Sequence, residues 1–131
     1  MLASASDGGN MSASVSWREQ SAPETVVPDV SLTRSRDGST GTATFVFGDP
    51  SCLSLNDVWD NGVITGLWLR DEEGIFVTTD LDVQFERGRP RKLVAILVLK
   101  NSDEWERFMR FMRRYAEQSG LTFEPSSREA K

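Results

Sequence analysis

The sequence predicts an α+β fold: a mainly antiparallel β-sheet built from hairpins, with one C-terminal amphipathic helix packed across one face. Three observations carry this reading. Alternating apolar and polar residues recur between turn signals from Ser14 to Phe85. The run at residues 93–99 is apolar at both parities, the pattern of a central strand buried on both faces. After it, Trp105, Phe108, Met109, Met112 and Ala116 follow helical spacing. Hairpin-linked strands followed by one helix favour a sheet with that helix across it.

In chain order, Val15 and Trp17 alternate with Ser14, Ser16 and Arg18, a short strand. Pro23 and Pro28 confine the chain between them to an edge or a turn. Val30 and Leu32 alternate with Ser31 and Thr33, and Thr42, Thr44 and Val46 alternate with Ala43, Phe45 and Phe47. Asp37-Gly38 between these runs predicts a hairpin whose loop extends through Ser39, Thr40 and Gly41. Residues 48–61 form a long polar loop that Leu53, Leu55, Val58 and Trp59 can pin to the body. A second hairpin joins residues 63–70 to residues 75–79 through Asp71-Glu72-Glu73-Gly74. Leu81, Val83 and Phe85 continue the alternation, and Gly88 and Pro90 mark a third turn. Asn101 with Glu104 three residues on is a capping box, and Gly120 is the expected helix stop. Leu121 and Phe123 can add a short terminal strand.

The 131 residues are 38% hydrophobic and 27% charged, the composition of one modest globular core. We expect a single domain over residues 13–124, a disordered N-terminal tail at 1–12 and a flexible C-terminal tail at 125–131. A net charge of −5 argues against a general nucleic-acid binder. No apolar run approaches the ~18 residues of a membrane-spanning helix, so membrane association is expected to be peripheral. The Ser- and Ala-rich start lacks the basic and apolar blocks of a secretory signal.

The residues offer little chemistry. There is no histidine, and Cys52 is the single cysteine, so zinc has no ligand set and the commonest general base is missing. Cys52, without a partner base, reads as a structural thiol. Asp71, Glu72 and Glu73 could hold a cation, but they sit in a turn where acids are ordinarily solvated, and their spacing is not that of a calcium loop. The expectation is no catalytic residue, no cofactor, no metal and no enzyme activity.

Two features point instead to docking. Arg107, Arg110, Arg113 and Arg114 lie off the apolar helix stripe. They are either a solvated face paired within the helix to Glu106 and Glu117, or a basic patch for an acidic partner or membrane surface. The strand of Thr42, Thr44 and Val46 lacks the Pro or Lys that blunts an edge, so it can accept a partner strand unless the loop at 48–61 covers it.

Several blocks together resemble a known family. They are Pro28-Asp29-Val30 through Arg34-Ser35-Arg36-Asp37-Gly38, Gly41-Thr42-Ala43 with Phe45, Ile64-Thr65-Gly66-Leu67 with Asp71-Glu72-Glu73-Gly74, and Glu104-Trp105-Glu106-Arg107-Phe108-Met109-Arg110-Phe111-Met112 with Arg114-Tyr115. The chain resembles the photosystem II reaction centre protein twenty-eight family, formerly the reaction centre W protein, over about residues 15–123. The resemblance implies a non-catalytic photosystem II assembly factor, peripheral at the cytoplasmic or stromal face of the thylakoid membrane and without a cofactor. Its implied partners are an assembly intermediate containing the larger inner antenna chlorophyll protein, cytochrome b559 and the reaction-centre core. The antenna protein's C-terminal segment would extend the sheet, and binding would protect the acceptor side. On that reading the partner-binding residues are Thr42, Thr44, Val46, Ile64 and Trp68 on sheet edges, with Arg34, Arg36, Arg107, Arg110 and Arg114 as the basic patch. A monomer is expected. The alternative is a binder of a chlorophyll precursor in a pocket between helix and sheet, lined by Trp68, Phe108 or Met112.

Overall fold

The computed structural model describes residues 13–19, 22–53 and 64–121. The expected terminal tails, the loop residues 54–63 and Phe123 lie outside the described residues. Among these residues, seven strands and one α-helix follow in order: β1 (Ser14–Ser16), β2 (Asp29–Arg34), β3 (Gly41–Gly48), β4 (Leu67–Asp71), β5 (Gly74–Thr78), β6 (Leu81–Glu86), β7 (Arg89–Leu99) and α1 (Ser102–Ser119). All pairings are antiparallel. The predicted α+β class, strands from hairpins with a C-terminal helix, is the architecture found.

The strands divide into two sheets, ordered β1-β4-β5 and β2-β3-β7-β6. A hydrogen bond from Thr78 Oγ1, at the end of β5, to the Ile96 carbonyl of β7 at 2.6 Å ties one to the other. The helix packs Trp105, Phe108, Met109, Phe111, Met112 and Tyr115 inward. Phe108 is the hub, edge-on to Phe45 at 6.1 Å and to Phe76 at 5.8 Å. Each fully buried Phe or Leu here contributes roughly 1.5–3 kcal/mol. Phe111 and Tyr115 join the predicted stripe, whereas Ala116 is only half-buried.

The helix begins as predicted, with one change of partner. Asn101 accepts from the Glu104 amide at 2.8 Å, but Glu104 reaches back to the amide of Lys100 rather than of the cap residue. Gly120 ends the helix at φ 81°, a left-handed conformation that glycine adopts without Cβ strain.

Three strand expectations change. Residues 93–99 are buried on one face only: Leu93, Ala95, Leu97 and Leu99 face the core, while Val98 is 54% exposed. Thr42, Thr44 and Val46 are not on an edge, because β3 pairs with β2 on one side from Gly41 to Val46 and with β7 on the other along its whole length. The strand of Trp68 is likewise interior, since β4 lies between β1 and β5. Alternation reports which face of a strand is buried; it carries no information about which flank is hydrogen-bonded.

Candidate docking surface

Two sheets have four borders. That of β1 is short and partly closed, because Glu24 N donates to the Val15 carbonyl at 2.8 Å. Glu24 is buried, and its carboxylate gathers this region. Oε1 accepts from the Trp17 indole at 2.7 Å and from the Ser51 amide and hydroxyl at 2.9 and 2.8 Å, and Oε2 from the Val26 amide at 2.9 Å. Burial alone would raise its pKa; these hydrogen bonds outweigh burial and lower it.

Among the described residues, no strand pairs along the outer flank of β2, β5 or β6. The three ribbons differ in what surrounds them. β2 alternates polar residues with the core-facing Val30 and Leu32. β5 carries Ile75 at 48% exposure and Val77 at 41%, with Trp68 half-buried opposite Val77 on the same face. β6 breaks register between Gln84 and Phe85. That bulge turns Phe85 outward to 67% exposure, although its parity with Leu81 and Val83 predicts an inward side chain. Periodicity places Phe85 with Leu81 and Val83 and says nothing of which face Ile75 and Val77 take.

Three residues of the predicted basic patch, Arg107, Arg110 and Arg114, enter an ion-pair network. The β4–β5 hairpin lays its acidic turn on the helix. Asp71, whose side chain is fully buried, accepts from Arg107 Nη1 at 3.1 Å and from Arg114 Nη1 at 2.8 Å. Arg110 grips Glu73 with two hydrogen bonds of 2.9 and 3.0 Å, and Arg114 reaches Glu73 at 2.7 Å. Glu72 and Glu73 keep part of their exposure, but the ion pairs of Arg107, Arg110 and Arg114 among the described residues are made with this hairpin rather than with Glu106 and Glu117. Burial works to raise the Asp71 pKa, but the hydrogen bonds from Arg107 and Arg114 win and lower it. Hydrogen bonds from Arg110 and Arg114 hold Glu73 down at about 2.

The other predicted residues are scattered. Thr42, Thr44 and Val46 stand half-buried on the sheet face away from the core. Ile64 is half-buried against the core just before β4. Arg34 lies over the Trp105 ring at 5.0 Å, and Arg36 is exposed in the β2–β3 turn. The pigment pocket expected between helix and sheet is not formed by its residues. Phe108 and Met112 are fully buried in packed core, while Trp68 points to the opposite face from Leu67 and Leu69. A partly open hollow of about 320 Å³ lies elsewhere, between Glu24, Val27 and Tyr115. No group of metal-ligating side chains occurs among the described residues.

Comparison with known proteins adds to this geometry. A family model described as Psb28 protein matches residues 19–123. The photosystem II reaction center Psb28 protein of Pyropia yezoensis is 53% identical over 108 residues, covering 82% of this chain and 93% of the relative. The protein of the same name from Cyanidioschyzon merolae is 49% identical over 107 residues, covering 82% and 94%. That of a Nostoc species is 50% identical over 103 residues, covering 79% and 90%.

Proposed function

This chain belongs to the Psb28 protein family, and we propose that it is a non-catalytic photosystem II assembly factor that docks by adding a partner strand to the free flank of β5. Its relatives are named for the photosystem II reaction center. No helix among the described residues is long and apolar enough to cross a membrane, and attachment to the thylakoid is, in this reading, peripheral. The partner strand is the C-terminal segment of the larger inner antenna chlorophyll protein, met at the cytoplasmic or stromal face near cytochrome b559 and the reaction-centre core.

The observation that carries the choice of β5 is an unpaired ribbon beside an exposed apolar row. Main-chain groups along Gly74–Thr78 supply hydrogen bonds, and Ile75, Val77 and Trp68 supply apolar surface for alternate partner side chains. By contrast β6 is bulged, a device that discourages pairing, and β2 carries no exposed apolar row.

Hydrogen exchange on the isolated protein, with and without a synthetic peptide of the antenna protein's C-terminal segment, tests this. New amide protection confined to residues 74–78, weakened in Val77→Lys, is the expected result. Protection on β2 or β6 instead overturns the assignment to β5. Absence of protection, together with recovery of no photosystem II subunit from detergent-solubilised membranes, overturns the docking function.

A further inference from the structure

The hairpin joining β6 to β7 lies outside the surface proposed above, and its chemistry is different. Every residue from Gln84 to Lys92 is exposed. Within these nine positions stand Phe85, Arg87, Arg89, Arg91 and Lys92, on a chain whose net charge is −5. The acids that accompany them among the described residues are Glu86 and Asp49, and both are engaged by Arg91, at 3.3 and 3.6 Å. Arg87, Arg89 and Lys92 form no ion pair among the described residues. A shallow hollow of about 180 Å³ opens between Glu86, Arg87, Arg89 and Arg91.

Two local features work against a merely structural tip. Arg87 and Gly88 occupy the turn with φ of 56° and 79°. Asn or Gly is the usual first residue of such a turn, and a long cation there is held in a disfavoured conformation. Beside it the bulge rotates Phe85 out of the core. The result is a projecting loop with an apolar ring and uncommitted cations around it.

We propose that the β6–β7 hairpin is a membrane contact, with Phe85 entering the interfacial region of an anionic bilayer and Arg87, Arg89 and Lys92 meeting lipid headgroups. Cations within a Debye length of an anionic surface are attracted to it, and an aromatic ring between them adds burial at the headgroup boundary. A bilayer fits better than a nucleic acid. The hollow at the tip, about 180 Å³, is too small to track a phosphate backbone over several nucleotides. A flat surface also meets the tip alone, whereas a polyanion wrapping the chain would meet its acidic remainder; screening over roughly 8 Å keeps the two apart. This contact is independent of which ribbon receives a partner strand.

The test is co-sedimentation of the isolated protein with vesicles of phosphatidylcholine alone or with phosphatidylglycerol. Binding is expected only with the anionic lipid and should fall as salt rises. Each cation near such a surface is worth about fivefold in partitioning, so Arg87→Gly combined with Arg89→Gln should weaken binding about thirtyfold. Glycine accepts the turn's positive φ, so that variant keeps the hairpin. Phe85→Ser, at an already exposed position, should weaken binding independently and leave the thermal midpoint unchanged. No binding to anionic vesicles, equal binding to both lipids, or unaltered binding of these variants overturns the proposal. Binding of single-stranded RNA that is lost in the same variants, without vesicle binding, reassigns the tip to nucleic acid and overturns it too.

Discussion

The carboxylate of Asp71, at the end of β4, lies 2.8 Å from Nη1 of Arg114, in the fourth turn of α1. This contact clamps the β4–β5 hairpin to the helix and makes the three-stranded sheet part of one core. Arg107 shares the same carboxylate, and each arginine is only partly exposed. Asp71→Ala therefore removes the main partner of Arg107 and leaves Arg114 with Glu73 as its close partner. We expect a loss of about 2–3 kcal/mol, below the range for a fully buried pair because the arginines keep some water. Urea denaturation measures it; a change under 0.5 kcal/mol would show that the clamp is incidental.

Acid should loosen the same clamp. Glu73 is held at about 2, against an ordinary value of 4.5, by hydrogen bonds from Arg110 and Arg114. Asp71 and Glu24 are also lowered, since their hydrogen bonds outweigh burial. A carboxylate with a depressed folded pKa stabilises fully above its unfolded value and loses that contribution as pH falls through the folded one. The thermal midpoint should therefore be flat above pH 5 and drop between about pH 4.5 and pH 2. At the other end, burial pushes Tyr115 up to about 12 from 10, so stability should decline as pH rises through that window. Tyr115→Phe should remove the alkaline decline and leave the acid one.

Gly41 is present for space. A Cβ there would sit 2.4 Å from Cε3 of Trp105 and 3.0 Å from the Thr33 carbonyl oxygen. Gly41→Ala must displace the indole that seals the start of the helix and lies beneath Arg34. Overpacking of this kind costs roughly 1–3 kcal/mol, read as a lowered denaturation midpoint with an unchanged slope.

Glu24→Gln is nearly isosteric but places an amide donor among groups that donate to it. Trp17, Ser51 and Val26 all donate to this carboxylate, so one contact becomes donor against donor. A loss of about 1–2 kcal/mol is expected, with a shift of the Trp17 indole proton resonance as its local signature.

Much of the architecture was legible from residues alone, because local rules govern it. Asp37-Gly38, Gly74 and Gly120 mark turns and a cap that need glycine's freedom, and all three take positive φ. Asn101 and the stripe from Trp105 to Met112 announce the helix and its buried side, and alternation in Ala43, Phe45 and Phe47 names a core face. The candidate site was much less legible. Phe85 breaks its own parity because a register shift, visible only once β6 meets β7, turns it out.

What the sequence by itself determined, then, is the identity of most elements and the buried face of the helix and of β3, since propensity, capping and periodicity act over a few residues. What only the tertiary structure decided is who neighbours whom: that Thr42, Thr44 and Val46 stand inside the four-stranded sheet, that among the described residues β2 and β6 are the open borders of that sheet and β5 of the other, and that Arg107, Arg110 and Arg114 place their charge on a distant hairpin. Strand order and ion-pair partners depend on contacts between residues far apart in the chain, and those are selected by packing of the whole core rather than by any local signal.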